Sequence, residues 1–225
     1  MSGQASALIV GAGVGLSASF ARLLAARGHP VALAARNVGK LDALARETGA
    51  SLHACDAADP AQVAALFTAV GSPGIVLYNA SARARGPFVD LDPAAVRHSL
   101  DVTVFGGFLV AQQAAKRMLA AGGGCIMLTG ASAGVKGFPQ SAPFAMGKFA
   151  LRGLAQSMAR ELHPRGVHIV HIVVDGAIRS TTRSETSPDS HLDPDAIAIT
   201  MAAMLDQPRS CWTDEIAVRP WVERF

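Results

Sequence analysis

Short apolar runs alternate along the chain with longer segments in which apolar positions recur at helical spacing. Six such runs predict buried strands, because continuous apolar stretches of this length suit a sheet covered on both sides. They are Ala7–Val10, Val31–Ala35, Ser51–Ala54, Ile75–Tyr78, Cys125–Thr129 and His168–Val174. The segments between them predict helices at Leu16–Arg27, Val38–Thr48, Pro60–Ala69, Pro93–Ala121 and Pro143–His163.

Strand and helix alternate with the spacing of right-handed crossovers, which predicts an α/β fold: a doubly wound parallel sheet with helices on both faces. Half of the 225 residues are apolar and only 5% are aromatic, so Ala, Val, Leu and Ile must form the core. Small and β-branched residues suit helices packed closely on buried strands. We expect one domain over residues 1–225, since this length supports a single core.

Charge and cysteine content narrow the classes of partner and location. The net charge of +3 comes without a Lys/Arg run, so we expect neither a nucleic-acid nor a membrane partner. We find no leader pattern and no apolar stretch near the roughly 18 residues that span a bilayer. Cys55, Cys125 and Cys211 fit neither a disulfide framework nor a metal site, which favours a cytoplasmic location. His168 and His171 are expected to be structural and to share one face of the last strand.

The segment Ile178–Leu192 interrupts the alternation with Ser, Thr, charged residues and Pro188. It follows the last predicted strand and therefore lies at the carboxyl edge of the sheet, where α/β folds bind ligands. This position predicts a lid or substrate loop. An ordinary surface connection is the alternative.

Three glycines, Gly11, Gly13 and Gly15, lie between the first strand and the first helix. A side chain at these positions would hold a diphosphate away from backbone N–H groups and from the positive end of the helix. Placed at this junction of a strand–helix–strand unit, the pattern predicts a dinucleotide site and a single Rossmann-like domain.

At this point the chain resembles the short-chain dehydrogenase/reductase family, over nearly its whole length. The family motif is Thr-Gly-x-x-x-Gly-x-Gly; Gly11 and Gly15 match it, whereas Val10 and Ser17 replace its Thr and last Gly. The resemblance implies the following cofactor contacts: Gly11, Gly13, Val14, Gly15, Leu16, Asp56, Asn79, Ala80, Ser81, Lys148, Gly176 and Ile178.

Two positions bear on the form of the cofactor. Ala35-Arg36-Asn37 stands where an NAD enzyme places a carboxylate on the adenine ribose, and an Arg pairs instead with a 2′-phosphate. This favours NADP(H) over NAD(H); the alternative is that Arg36 is simply solvated. Asp175 replaces the proline of the family's Pro-Gly-x-Ile/Val segment, either as a turn residue or as a carboxylate near the nicotinamide.

The catalytic positions implied by the resemblance depart from the family's pattern. Phe144 occupies the place of the catalytic Tyr, and Lys148, one turn later, matches the Lys. Ala131 falls at the Ser position, with Ser132 adjacent as a candidate hydroxyl, and Thr103 falls at the Asn position. The only tyrosine, Tyr78, lies elsewhere, so the usual proton donor is missing.

Two functions remain open. The first is an NADP(H)-dependent oxidoreductase acting on a small carbonyl, alcohol or activated alkene, through an atypical proton path. The second is a non-catalytic NADP(H)-binding sensor or partner protein. The resemblance also implies a homodimer or homotetramer, because Pro93–Ala121 and Pro143–His163 correspond to the family's intersubunit helices.

Overall fold

A computed structural model describes residues 4–180, 183–185 and 187–222. Seven parallel strands form one sheet in the order β3-β2-β1-β4-β5-β6-β7. The strands are β1 Ala7–Val10, β2 Val31–Ala35, β3 Ser51–Ala54, β4 Ile75–Tyr78, β5 Gly124–Thr129, β6 Val167–Val174 and β7 Glu215–Val218. The predicted parallel sheet is confirmed, and the six predicted strands agree with β1–β6 to within one residue.

Seven α-helices cover the sheet in the part of the chain that is described. They are α1 Leu16–Ala26, α2 Asp42–Thr48, α3 Pro60–Val70, α4 Pro93–Leu100, α5 Gly106–Ala121, α6 Ala142–Leu162 and α7 Pro194–Leu205. Apolar side chains of α1, α2 and α7 pack on one face of the sheet. Those of α3, α5 and α6 pack on the other face, so the helices lie on both faces as predicted.

Two elements were not predicted from the sequence, α7 and β7. Helix α7 begins after Asp193, whose carboxylate accepts a hydrogen bond from the backbone N–H of Asp195. Strand β7 is an edge strand of four residues that pairs only with β6 among the described strands. An edge strand is half-buried and needs no continuous apolar run, which is why Glu215–Val218 gave no strand signal.

The predicted helix Pro93–Ala121 is interrupted by one π-helical turn, Asp101–Phe105. The turn passes over Tyr78, whose buried hydroxyl donates a hydrogen bond to the carbonyl oxygen of Val102. In a π-helical turn each backbone hydrogen bond spans five residues instead of four. Here the side chain of Tyr78, which comes from the sheet, bonds to a carbonyl of that turn. The next residue is Gly106, where a Cβ would lie 2.5 Å from the Tyr78 hydroxyl and 2.8 Å from the Ala57 oxygen.

The same helical stretch, Pro93–Ala121, is the one segment among the described residues that meets the length and composition criteria for crossing a bilayer. Core helices meet these criteria as well. In this chain Val110, Ala111 and Ala114 are buried in the core between α5 and the sheet.

The prediction that His168 and His171 share a face of β6 was wrong. They are three residues apart, and side chains of a strand alternate between faces, so they point to opposite sides. His168 stacks on Trp212 with ring centroids 4.6 Å apart, whereas His171 contacts Glu215.

Candidate active site

The site lies where the order of the strands reverses. β1 pairs with β2 on one side and with β4 on the other, and a crevice forms at the carboxyl ends of β1 and β4. Two cavities of about 560 and 530 Å³ open along this edge, and Asn79 and Ser81 line both of them. Together they form one elongated cleft, as a dinucleotide requires.

The loop between β1 and α1 is held tightly against β4. Gly11 has φ +78°, and a Cβ there would lie 2.5 Å from the Cα of Ala80, so only glycine fits. Asn79 donates from Nδ2 to the hydroxyl of Ser17 at 2.8 Å and to the carbonyl of Gly11 at 3.4 Å. Ser17 replaces a family glycine, yet here its hydroxyl fastens the loop, a role that the sequence analysis missed.

The N-terminus of α1 is open to an anion. Gly15 precedes it without any capping side chain, and a Cβ at Gly13 or Gly15 would meet nothing within 4 Å. By contrast Asp59, Asp92 and Asp193 cap α3, α4 and α7. The uncapped backbone N–H groups fit a diphosphate, which would satisfy them and the helix dipole.

Val14 and Leu16, two of the predicted cofactor contacts, can take part in binding only through their backbone. Val14 is 82% exposed, so its side chain points to solvent above the glycines. The side chain of Leu16 is buried in the core with α1. Neither side chain is therefore available for polar contact with a ligand.

The cavity at the ends of β2 and β3 carries two positive charges. Arg36 and Lys40 line it, and Arg36 has no carboxylate within 4.0 Å among the described residues. Asn37 accepts a hydrogen bond from the N–H of Gly39 at 3.2 Å, which holds the turn that carries Lys40. Lys40 was not foreseen, because the family pattern drew attention only to the residues directly after β2.

Asp56 lines the same cavity at the end of β3. One carboxylate oxygen, Oδ1, accepts a hydrogen bond from the N–H of Ala58 at 3.0 Å, and the backbone N–H of Asp56 donates to Gln62 at 2.9 Å. These contacts fix the carboxylate beside the cavity, where it can accept a hydrogen bond from an adenine amino group.

The other cavity contains Lys148, which is only 3% exposed. Its Nζ donates to the carbonyl oxygen of Thr129 at 2.6 Å. Burial, together with the nearby charge of Arg83, lowers the pKa of Lys148 from 10.5 to about 7. A buried amine with such a pKa is close to half protonated at neutral pH.

Phe144 lines this cavity one helical turn before Lys148. The guanidinium of Arg83 lies 4.1 Å from the centre of its ring and Lys148 Nζ lies 5.8 Å from it. Ala131 and Ser132 line the same cavity, so Ser132 brings a hydroxyl to the wall that Lys148 shares.

The hydroxyl groups of Thr103, which the resemblance placed at the family's Asn position, and of Tyr78, the one tyrosine of the sequence, do not reach the cavity. Thr103 is buried outside the residues that line the cavity, and its hydroxyl accepts a hydrogen bond from the N–H of Ala82 at 3.2 Å. Tyr78 is fully buried, and burial raises the pKa of its phenol. The tyrosine therefore has no route to a ligand in the cleft.

The comparisons with known proteins agree with this geometry. A family model described as short chain dehydrogenase matches residues 5–191. The chain belongs to the short-chain dehydrogenase family. Its members bind nicotinamide cofactors, and the protein is an NAD(P)-dependent oxidoreductase by this membership.

Individual members of the family resemble this short-chain dehydrogenase along most of its chain. D-threitol dehydrogenase from Mycolicibacterium smegmatis is 31% identical over 172 residues, which span 72% of this chain and 66% of that protein. Trans-4-hydroxycyclohexanecarboxylate dehydrogenase from Sinomonas cyclohexanicum is 30% identical over 189 residues, covering 77% and 72% respectively. A metagenomic short-chain oxidoreductase in complex with NADP has 29% identity and a TM-score of 0.84, covering 99% of this chain and 100% of that chain.

The third wall of the dehydrogenase cavity comes from the chain that follows β6. Gly176 and Ile178 line the cavity, as expected for residues beside the nicotinamide. The backbone N–H of Leu192 donates a hydrogen bond to the carbonyl oxygen of Ala177 at 2.7 Å, and the carbonyl oxygen of Leu192 accepts one from the N–H of Arg179 at 2.8 Å. These two bonds join the ends of the segment 178–192.

Asp175 is directed elsewhere. It is buried with one carboxylate oxygen 3.7 Å from Arg219 Nε, and it is not among the residues that line the cavity. Its N–H donates to Val218 of β7 at 2.8 Å, so Asp175 joins β6 to the edge strand.

A charged network that the sequence analysis missed lies beside Lys148. His171 Nδ1 lies 2.9 Å from Glu215, and Arg152 holds the same carboxylate with two hydrogen bonds of 2.6 and 2.7 Å. Burial lowers the pKa of His171 and outweighs the opposing effect of Glu215; the charge on Lys148 lowers it further. Because Glu215 belongs to the unpredicted β7, nothing in the local sequence around His171 indicated this contact.

The depressed pKa of Lys148 has a consequence for stability. Between about pH 7 and 10.5 the unfolded chain binds a proton at this lysine that the folded protein has released. The free energy of unfolding therefore rises with pH across this window, and the cost of the buried charge is fully present below it. We expect Lys148→Met to gain in stability relative to wild type at pH 6.5 and to lose most of that advantage by pH 9.5.

Urea unfolding at the two pH values measures this difference. Lys116→Met replaces an exposed lysine of α5 and serves as the control, for which we expect the same offset at both pH values. An offset for Lys148→Met that stays constant between pH 6.5 and 9.5 would contradict a neutral amine at this position.

Proposed function

We propose that this protein is an NADP(H)-dependent oxidoreductase that interconverts a small carbonyl compound and its alcohol, with Lys148 as the proton donor. The observation that carries the proposal is the buried Lys148 amine, which faces the cavity beside Phe144, the position where the family has tyrosine. The relatives named as dehydrogenases of D-threitol and of trans-4-hydroxycyclohexanecarboxylate support carbonyl and alcohol chemistry rather than reduction of an activated alkene.

The residues of the cleft divide the binding of the cofactor between them. The uncapped end of α1 and the glycine loop hold the diphosphate, and Arg36 with Lys40 pairs with a 2′-phosphate. Asp56 accepts a hydrogen bond from the adenine amino group. The cavity that contains Lys148 is lined by Asn79, Ser81, Gly176 and Ile178. When bound there, the nicotinamide supplies or accepts the hydride.

The proton follows a short path. In the reducing direction the ammonium of Lys148 gives a proton to the substrate oxygen as the carbonyl becomes an alcohol. The hydrogen bond to the Thr129 carbonyl fixes Nζ between two residues that line the cavity, and we assign to the hydroxyl of Ser132, on the same wall, the role of steadying the substrate oxygen. A pKa of about 7 suits this role, because a proton donor works best when its pKa is near the operating pH.

The predicted loop 178–192 includes residues 181, 182 and 186, which lie outside the described residues, and its described part borders the cavity. We propose that it acts as the substrate loop, because Ile178 and Arg183 line the cavity from it. Arg179 holds the segment in place through Glu185 at 3.2 Å and Asp193 at 3.1 Å.

The preference for the phosphorylated cofactor is tested by fluorescence titration with NADPH and NADH side by side. We expect tighter binding of NADPH, and a loss of about tenfold in Arg36→Ala because one charge-assisted contact to the phosphate is removed. NADH binding should change little in the same variant, which makes it the internal control. Equal affinity for the two cofactors in the wild type would argue against the NADP(H) assignment.

The role of Lys148 is tested by the pH dependence of NADPH oxidation with a panel of aldehydes and ketones, at saturating cofactor. We expect the wild-type rate to fall above about pH 7 as the amine loses its proton. Lys148→Met should lose about 10²–10⁴-fold in kcat, whereas the exposed control Lys116→Met keeps its rate. Phe144→Tyr adds a hydroxyl one turn away and should raise the rate above pH 7.

The same assay separates the enzyme from the non-catalytic binder that the missing tyrosine also favours. Tight NADPH binding with no turnover in wild type over the whole panel would support the binder. A wild-type rate that does not change between pH 6 and 9 would remove Lys148 as the donor.

We further propose that the protein forms a homodimer or homotetramer in the cytoplasm, without nucleic-acid or membrane partners. Exposed aromatic side chains on two neighbouring helical segments support self-association. Phe105 and Phe108 stack at 6.2 Å between centroids and are 43% and 39% exposed, and Phe149 on α6 is 46% exposed. Covering them in an interface would remove apolar surface from water.

Sedimentation velocity tests the assembly. We expect wild type to sediment as a dimer or tetramer and Phe149→Glu to shift towards monomer, because it would bury a charge in the interface. Ile199→Glu, on the exposed face of α7, is the matched control and should leave the assembly intact. A wild type that is monomeric at all concentrations would contradict the proposal.

A further inference from the structure

The cavity at Phe144 is lined by an excess of positive charge. Arg83 and Arg85 follow β4, Arg183 comes from the segment 178–192, and Lys148 lies at the base. No Asp or Glu is among the described residues that line this cavity. A cavity of about 530 Å³ with basic groups on several sides attracts anions.

The three arginines of the cavity, unlike Arg179 nearby, have no ion-pair partner among the described residues. Arg179, on the same segment as Arg183, lies within 3.2 Å of Glu185 and 3.1 Å of Asp193. Within the described residues, Arg83, Arg85 and Arg183 have no carboxylate within 4.0 Å. The positive charges of the three cavity arginines are therefore not neutralised by a carboxylate of the described chain.

Arg83 is the best placed of the three. Its guanidinium lies 4.1 Å from the centre of the Phe144 ring, the same ring that Lys148 approaches at 5.8 Å. A guanidinium over an aromatic face can still direct its N–H groups to a planar oxyanion. Arg83 is exposed, yet partial desolvation of its guanidinium, with Arg85 and Arg183 nearby, lowers its pKa, so its positive charge is held under repulsion that a bound anion would relieve.

We infer that the substrate of this oxidoreductase carries an oxyanion, a carboxylate or a phosphate, which binds Arg83 while the reacting carbon lies beside Phe144 and Lys148. The inference rests on the proposed function, since it names the substrate class of that site. Arg36, Lys40 and the end of α1 lie in or beside the other half of the cleft, which leaves Arg83, Arg85 and Arg183 for the substrate. The ion pair between the substrate oxyanion and Arg83 then orients the substrate carbonyl towards Lys148.

Calorimetric titration of the full chain tests this with three aldehydes of one shape: 4-formylbenzoate, its neutral methyl ester and 4-formylphenyl phosphate. Each is titrated without cofactor and with saturating NADP+, which cannot reduce the aldehyde during the titration. We expect at least one anionic aldehyde to bind tenfold or more tightly than the ester, since a hydrogen-bonded ion pair is worth about that factor. The stronger of the two anions identifies the carboxylate or the phosphate as the group recognised.

Variants assign the effect to Arg83. Arg83→Gln should remove about tenfold of the affinity for the favoured anion and leave the ester unchanged, and Arg83→Lys should retain part of it. Arg160→Gln removes an exposed arginine of α6 and serves as the control with full anion affinity. Retention of NADPH binding by Arg83→Gln shows that the variant is folded.

Two results would overturn the inference. One is equal affinity for the ester and both anions. The other is a loss of NADPH affinity in Arg83→Gln as large as that in Arg36→Ala, which would show that these arginines bind the cofactor and not the substrate. Failure of the proposed function looks different: the anion preference persists without NADPH, while NADPH binding or turnover is absent.

Discussion

The pairing of β1 with β2 on one side and β4 on the other determines where the functional groups of this protein lie. Because the order of the strands reverses at β1, the chain segments leaving the carboxyl ends of β1 and β4 diverge and open a crevice. The contact between Gly11 and Ala80 closes the floor of this crevice, and Asn79 ties the two sides together through Ser17. A dinucleotide site and a substrate cavity follow from one arrangement of strands.

Phe144 gives the cavity that Lys148 lines an apolar wall. It offers the face of its ring to Lys148 and Arg83, and Lys148 Nζ donates its hydrogen bond to the Thr129 carbonyl. With burial uncompensated by any carboxylate within 4.0 Å in the described chain, the amine is driven towards its neutral form at physiological pH.

Charge is distributed along the cleft in a way that separates its two ends. Arg36 and Lys40 line the cavity at the ends of β2 and β3, and Arg83, Arg85 and Arg183 line the cavity at Phe144. Between them the glycine loop and the uncapped α1 offer backbone N–H groups without side-chain charge. An anionic substrate and a phosphorylated cofactor would each meet a separate set of cations.

Elements that depend on local chemistry can be predicted from the amino-acid sequence. The apolar runs of β1–β6 and the glycines after β1 can be recognised within a few residues, because burial on both faces and close backbone approach demand particular residue types. The positions of Phe144 and Lys148 on one helix face follow from helical spacing. Contacts between groups that meet across the fold could not be predicted in this way. Arg83 reaches Phe144, and His171 reaches Glu215 of the unpredicted β7, through contacts between residues far apart in the chain. These contacts, and the burial that shifts the pKa of Lys148, depend on how helices pack on the sheet, which no local pattern encodes.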